Sequence, residues 1–204
     1  MKNIETSEII NAIKKGKIFI YPTDTIYGLG CNALNKQAVE KIKKIKTRDK
    51  NKSLSIIAPS IEWIKQNCIT KNINLDKYFP GPYTLILKKQ NPKFLNHVSS
   101  TDSLGIRIPD NFFTKIIQQS QLPFITTSVN LSGEPFLKSI KQLKPKIKNQ
   151  VDVIINTGPL TGKPSTLVIN GKEVERWMLI NSLNPHHKDV ISLILHKLSF
   201  REQF

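Results

Sequence analysis

The run Lys17-Ile-Phe-Ile-Tyr21, followed at once by Pro22-Thr-Asp-Thr-Ile-Tyr-Gly-Leu29, decides how the chain is read. Its β-branched and aromatic residues predict a buried strand over 17–21, and Pro22, which cannot donate to a ladder, stops it. Upstream, Thr6 or Ser7 is placed to cap a helix with Ile9, Ile10 and Ile13 on one face and Gly16 past its end. Downstream, Asn35 opens a helix with Ala38, Val39, Ile42 and Ile45 at helical spacing. Lys41, Lys43, Lys44 and Lys46 crowd its C-terminal end, where the macrodipole favours cations. The alternation continues, with strands expected over 53–58, 83–88, 104–108, 123–127, 151–155 and 166–169. Pro80-Gly81-Pro82 turns the chain before the second of these. Ser60 and Asp110 are expected to cap helices carrying Trp63 and Ile64, and Phe112, Phe113, Ile116 and Ile117. A short helix over 139–143 is expected to break at Pro145, and an apolar helix is expected over 189–198. Asn170-Gly171 is a hairpin signal with its return strand over 173–179. Helices and strands alternate, yet the hairpin makes some neighbouring strands antiparallel. The class is α/β or α+β with a mixed sheet.

A length of 204 residues fits one domain, or one domain with a short appendage. Such a chain buries enough surface to need no disulfide or metal staple. Cys31 and Cys68 read as two free thiols of a cytosolic protein. No apolar run reaches the roughly 18 residues of a membrane span, and residues 1–8 lack the apolar core of a signal peptide. The formal charge is +16, from 31 Lys+Arg against 15 Asp+Glu. Two readings of that charge stand open: a polyanionic partner such as nucleic acid, and a genome rich in A/T codons. The second rests on 27 lysines, 29 isoleucines and 17 asparagines, all with A/T-rich codons. Only Arg48, Arg107, Arg176 and Arg201 are arginine, so their positions carry more information than any lysine.

Several segments imitate known chemistry. Gly28-Leu-Gly-Cys-Asn-Ala33 satisfies G-x-G-x-x-A, but six residues separate it from the strand ending at Tyr21, and its helix starts only near Asn35. Gly158-Pro-Leu-Thr-Gly-Lys163 is one residue short of a phosphate loop, with Pro164 where a magnesium-binding hydroxyl belongs. His186, His187 and His196 are too few and too irregular for a zinc site. No Ser/His/Asp constellation is evident.

Five polar segments remain at strand ends: 21–29, Lys46-Thr-Arg48 with Lys52, 103–109, 126–133 and 164–166. They combine hydroxyls with cations, the groups that hold phosphate and carboxylate oxygens. Such a set catalyses by positioning and charge stabilisation when the substrate supplies its own nucleophile. The motifs Y-P-T-D-T-I-Y-G-L, K-T-R with a later K-S-L, F-P-G-P-Y-T, L-G-I-R-I-P, T-S-V-N-L-S-G and P-S-T-L-V closely resemble the YrdC-like threonylcarbamoyl-AMP synthase family. The resemblance runs from about residue 5 to residue 180, with the motifs in family order.

That resemblance implies a twisted mixed parallel/antiparallel sheet flanked by helices around a basic concave cavity. It implies a catalytic domain over 1–180, with 181–204 as a helical tail packed on or extending it. With so short a tail, the resemblance is expected to be to the short, single-domain form, without the second domain of longer relatives. The implied reaction joins L-threonine, bicarbonate or carbon dioxide and ATP into threonylcarbamoyl-adenylate and releases pyrophosphate. The implied setting is the cytoplasm. A downstream complex would move the threonylcarbamoyl group onto tRNA, and magnesium would accompany ATP. By resemblance, Lys46 and Arg48 hold phosphate oxygens and the bicarbonate-derived group, and Lys52 contacts ATP. Thr25, Arg107, Thr126 and Ser165 bind threonine; Ser103, Ser128, Asn130 and Arg176 reach the nucleotide. The chain departs from the family at Ser53, where proline is common, at Val129, at Phe136 and at Trp177-Met178 after Arg176. The competing reading is an RNA-binding or ribosome-assembly factor using the basic cavity. The 7% aromatic content, not interleaved with the basic runs, argues against stacking platforms and leaves direct RNA binding weak. A hydroxybutanone-phosphate synthase would need acidic metal ligands, which the hydroxyl-rich loops lack.

Overall fold

Short polar side chains start most of the helices. In the computed structural model, which describes residues 5–47, 52–131 and 134–175, Asn35 accepts from the Ala38 N–H (3.0 Å) and opens α2 (Lys36–Ile45), after α1 (Thr6–Lys14). Ser60 accepts from Trp63 N–H (3.1 Å) and opens α3 (Ile61–Asn67). Asn111, not Asp110, caps α4 (Phe112–Ser120) by accepting from Thr114 N–H (3.1 Å). Neither Thr6 nor Ser7 caps α1; Glu5 holds the cap position, and both hydroxyl residues lie inside the first turn. Pro145 starts α5 (Pro145–Lys148) instead of breaking a helix, because proline suits the first helical position. The expected helix over 139–143 is a single 3-10 turn, Ile140–Gln142, capped by Ser139.

Among the described residues the strands are β1 (Phe19–Pro22), β2 (Tyr27–Gly30), β3 (Ser55–Ile57), β4 (Tyr83–Lys88), β5 (Ser103–Arg107), β6 (Phe124–Ser128), β7 (Val153–Ile154), β8 (Thr166–Ile169) and β9 (Lys172–Val174). They form a nine-stranded sheet ordered β7-β1-β2-β6-β3-β5-β4-β8-β9. The pairs β1/β7, β3/β5 and β4/β8 are parallel and the other five antiparallel, so the sheet is mixed as expected. β2 was not foreseen from the sequence. Its glycines read as turn residues, but they make room: a Cβ on Gly28 would meet the Tyr21 ring at 2.7 Å, and one on Gly30 the Ile125 carbonyl at 2.0 Å. Pro22 remains in the ladder opposite Tyr27, as the last pair of the β1/β2 hairpin. Residues 176–204 lie outside the described residues, and with them the rest of the expected return strand, the 189–198 helix, the 181–204 tail and the three late histidines.

Strand register sorts the side chains into two faces. Ile20, Leu29, Ile125, Ile56, Ile106, Leu85 and Val168 point to one face and join Ala38, Val39, Ile42 and Ile45 of α2 in the larger core. The other face carries Phe19, Tyr21, Ile57 and Phe124 beneath α1 and α4, with Phe113, Ile116 and Ile117. The Tyr21 and Phe113 rings stack at 4.3 Å, and Phe124 meets both edge-on at 5.4 Å. This aromatic cluster covers only one end of its face. The same strands continue into uncovered, polar positions.

Candidate active site

Beyond the aromatic cluster, that second face changes chemistry within single strands. On β6 it runs Phe124, Thr126, Ser128; on β3 it runs Ile57, Ser55. Register aligns Gly28 with Ser128, Thr126 with Ser55 and Ser55 with Gly105. Alternation puts Arg107, two residues after Gly105, on the same face. Ile86 pairs with Gly105, so Thr84, two residues before Ile86, shares it too. The Thr84 hydroxyl lies 2.8 Å from that of Ser165, just before β8. A stripe of hydroxyls with one guanidinium therefore crosses the sheet. Above it lies a cavity of about 390 Å³, walled further by Thr23, Ile26, Tyr27, Asn130, Glu134 and Phe136.

The β1/β2 turn forms one wall. The Thr23 hydroxyl donates to the Ile26 carbonyl (2.7 Å), accepts from Thr25 N–H (3.1 Å) and lies 2.9 Å from the Thr25 hydroxyl. This tight turn presents Asp24 to Arg107: guanidinium Nη2 donates to Asp24 Oδ1 at 2.5 Å, and the Asp110 N–H donates to Oδ2 at 3.2 Å. The Arg107 side chain is buried, 6% exposed, and that of Asp24 is partly buried, 10% exposed. Burial pulls the Arg107 pKa below its usual value, and the Asp24 carboxylate offsets part of that. Arg107 Nε is buried and finds no partner among the described residues. Burial also raises the Tyr21 phenol's pKa, against a hydrogen bond with Thr126 and the nearby Arg107 charge, so it stays neutral.

Lys46 follows α2 and is 3% exposed. Its ammonium donates to the carbonyls of Ser128 (2.6 Å) and Asn130 (3.0 Å) and to Asn130 Oδ1 (2.7 Å). It thus ties the end of α2 to the chain leaving β6. The Ser128 hydroxyl also donates to Asn130 Oδ1 (2.7 Å). On another side, Tyr27 donates to the Gly158 carbonyl (2.6 Å) and accepts from Thr157 N–H (3.1 Å). The segment that imitates a phosphate loop is thereby fixed to Tyr27, which lines the cavity, and Gly162 packs directly on the Thr25 backbone.

The structure brings Arg107, Thr126, Ser128, Asn130 and Ser165 together around the cavity, with Lys46 bonded to two of them. Thr25 is buried one residue from Asp24 and reaches the cavity wall through Thr23. Ser103 shares the face of Arg107 but sits at the far end of β5, donating to Asp102 Oδ1 (2.9 Å). Lys52 is exposed; next to it the Ser53 hydroxyl lies 2.9 Å from that of Ser99. Arg48 and Arg176 lie outside the described residues. Sequence reasoning gave no role to Asp24, Thr23, Ser55 or Thr84. Asp24 and Thr84 stood inside recognised motifs, while Ser55 was hidden in an expected strand. The period-2 alternation of 126 and 128 was the available signal.

The Sua5/YciO/YrdC family model, described as telomere recombination, matches residues 11–180. The chain belongs to the Sua5/YciO/YrdC family. Its mixed sheet and flanking helices are shared with P. abyssi Sua5, solved in complex with L-threonine: TM-score 0.72 at 28% identity, covering 84% of this chain and 53% of that one. The chain thus spans about half the length of that Sua5. A Methanocaldococcus jannaschii protein is 38% identical over 174 residues, 80% of this chain and 81% of its own, and carries a provisional name as a threonylcarbamoyl-AMP synthase. The threonylcarbamoyl-AMP synthase of Pseudoalteromonas translucida is 31% identical over 176 residues, covering 80% and 92%. Membership accounts for the order of the motifs along the chain, and the sheet register accounts for their convergence. Among the described residues no helix is long and apolar enough to cross a membrane.

Proposed function

We propose that this Sua5/YciO/YrdC protein is an L-threonylcarbamoyl-AMP synthase, joining L-threonine, bicarbonate or carbon dioxide and ATP and releasing pyrophosphate. One observation carries the reading. Polar motifs scattered from residue 23 to residue 165 converge on one cavity, in a family whose relatives carry this activity's name. Among the described residues the cavity lining offers hydroxyls, the Asn130 amide and a buried guanidinium, with no Cys, His or Lys, which suits a reaction whose nucleophile comes from the substrate. The threonine amine adds to carbon dioxide, losing a proton and forming a carbamate. A carbamate oxygen then attacks the α-phosphorus of ATP, and the bond to pyrophosphate breaks.

Arg107 is assigned the threonine carboxylate, by charge-assisted hydrogen bonds worth roughly 1.5–3 kcal/mol. Thr25, Thr126 and Ser165 are assigned the rest of the amino acid. Ser103, Ser128 and Asn130 are assigned the nucleotide, with Lys52 and Arg176, and Lys46 and Arg48 the phosphate oxygens and carbamate. Lys46 would act from its place on the Ser128–Asn130 carbonyls, by adding positive charge beside them. Among the described residues no group of three or more His, Cys, Asp or Glu could hold a metal ion. Magnesium would accompany ATP and shield the charge of the leaving pyrophosphate. The product would pass to a tRNA threonylcarbamoyl-transfer complex in the cytoplasm. The test is pyrophosphate release by purified protein supplied with ATP and bicarbonate. Release that depends on L-threonine is expected; release indifferent to threonine, or none, overturns the reading.

A further inference from the structure

Asp24 belongs to the β1/β2 turn and reaches across to the end of β5, which it binds at two points. One carboxylate oxygen takes Nη2 of Arg107 and the other takes the Asp110 backbone N–H, three residues further along the same chain segment. Its own position is set by the Thr23 hydroxyl, which accepts from the two N–H groups that follow Asp24, those of Thr25 and Ile26. Arg107 is therefore held at one end of its guanidinium, while Nε, buried in a residue that lines the cavity, has no partner among the described residues. A flexible side chain fixed before its ligand arrives loses less freedom on binding.

We propose that Asp24 is a positioning residue, holding the Arg107 guanidinium by Nη2 so that its remaining donors meet the carboxylate of the amino-acid substrate. This rests on the synthase reading. Asp24 touches no substrate; it acts through Arg107. The alternative is that Asp24 only neutralises a buried cation and so serves folding alone. The two separate by which kinetic constant moves.

In the full chain, Asp24→Ala removes both anchors. Asp24→Asn keeps the shape but can accept at only one of the two positions, because its NH₂ faces a donor at the other. The expected result is a KM for threonine raised about tenfold or more in Asp24→Ala and about threefold or more in Asp24→Asn. KM for ATP and kcat stay within about twofold. L-Threoninol, which lacks the carboxylate, should inhibit variants and wild type with the same constant. If Asp24→Ala does not fold, Asp24→Asn carries the same comparison. An unchanged threonine KM in the folded variants overturns the proposal. So does a joint shift of threonine KM, ATP KM and the threoninol constant, which marks a general structural loss. Wild-type protein run alongside keeps the two claims apart. No threonine dependence there removes the activity, whereas threonine-dependent turnover with unmoved Asp24 variants removes only the role of Asp24.

Discussion

Adding one methyl group at Gly162 should damage the cavity more than any exposed substitution of the same size. A Cβ there would lie 2.1 Å from the Thr25 carbonyl oxygen, 2.8 Å from its carbon and 2.9 Å from its Cα. Ordinary contact begins near 3.4 Å, and all three neighbours are backbone, so none can rotate aside. The two segments must separate by more than 1 Å. Neither has slack nearby. The Gly162 segment is pinned upstream by Tyr27 at Gly158 (2.6 Å) and by Leu160 N–H on the Lys138 carbonyl (2.8 Å). Downstream, Thr166 N–H holds the Pro82 carbonyl (3.0 Å). The displacement falls on Ser165 and on the turn holding Asp24 and Thr25. Overpacking of this kind costs about 1–3 kcal/mol, and a misplacement of about 1 Å at a reacting site costs up to about a hundredfold in rate. Urea unfolding and threonine-dependent pyrophosphate release measure the two effects. Gly171→Ala is the control: its φ of 73° strains any side chain, but nothing lies within 4 Å of the new carbon. It should cost about 1 kcal/mol and leave turnover unchanged. Gly162→Ala protein with turnover within about twofold of wild type and stability within about 0.5 kcal/mol would refute the reasoning.

Lys46→Met keeps the aliphatic stem but removes the ammonium from the Ser128 and Asn130 carbonyls, leaving Asn130 Oδ1 to the Ser128 hydroxyl, and should cost about 2–3 kcal/mol by urea unfolding. A loss under about 0.5 kcal/mol would mean the ammonium does not hold that chain segment. Burial raises the pKa of both thiols, that of Cys68 to about 11 despite Lys89 nearby. Native protein at pH 8 should therefore resist a thiol reagent, and both cysteines should react after unfolding; fast labelling of either in the native state contradicts this. At Asp152, burial alone would raise the carboxyl, but the Ile18 N–H (2.8 Å), Lys41 and Lys17 outweigh it and hold the pKa below the usual value. A depressed folded-state pKa gives stability that is present above the unfolded value and lost as pH falls through the folded one. Asp152→Asn should therefore lower stability at neutral pH and narrow its gap to wild type in acid; a gap independent of pH would be the contrary outcome.

The helices were legible wherever a cap stood before an apolar stripe: Asn35 and Ser60 announced α2 and α3 correctly. Asp110 failed as a cap because the helix starts one residue later than expected: Asn111 holds the cap position, and its Oδ1 takes the Thr114 N–H. β2 escaped because its glycines serve neighbours from other strands, and no local pattern reports that. At the site, the order of motifs was readable but their contacts were not. Arg107 was legible as a ligand for an anion. That a protein carboxylate already holds one end of it depends on a turn 83 residues away. Lys46 looked like an open phosphate ligand from its motif, whereas the fold also gives it three oxygen partners from the end of β6. Thr126 and Ser128 showed a hydroxyl-bearing alternation on β6, yet only register could join them to Ser55, Thr84 and Ser165.

The central claim is that one cavity assembles three small molecules into a single adenylate. The most direct measurement is the mass spectrum of the product formed from ATP, L-threonine and ¹³C-bicarbonate by the purified chain. A species containing AMP, threonine and one labelled carbon, absent when threonine is omitted, is the predicted result. AMP or ADP alone, with no labelled adduct and no threonine dependence, would contradict it.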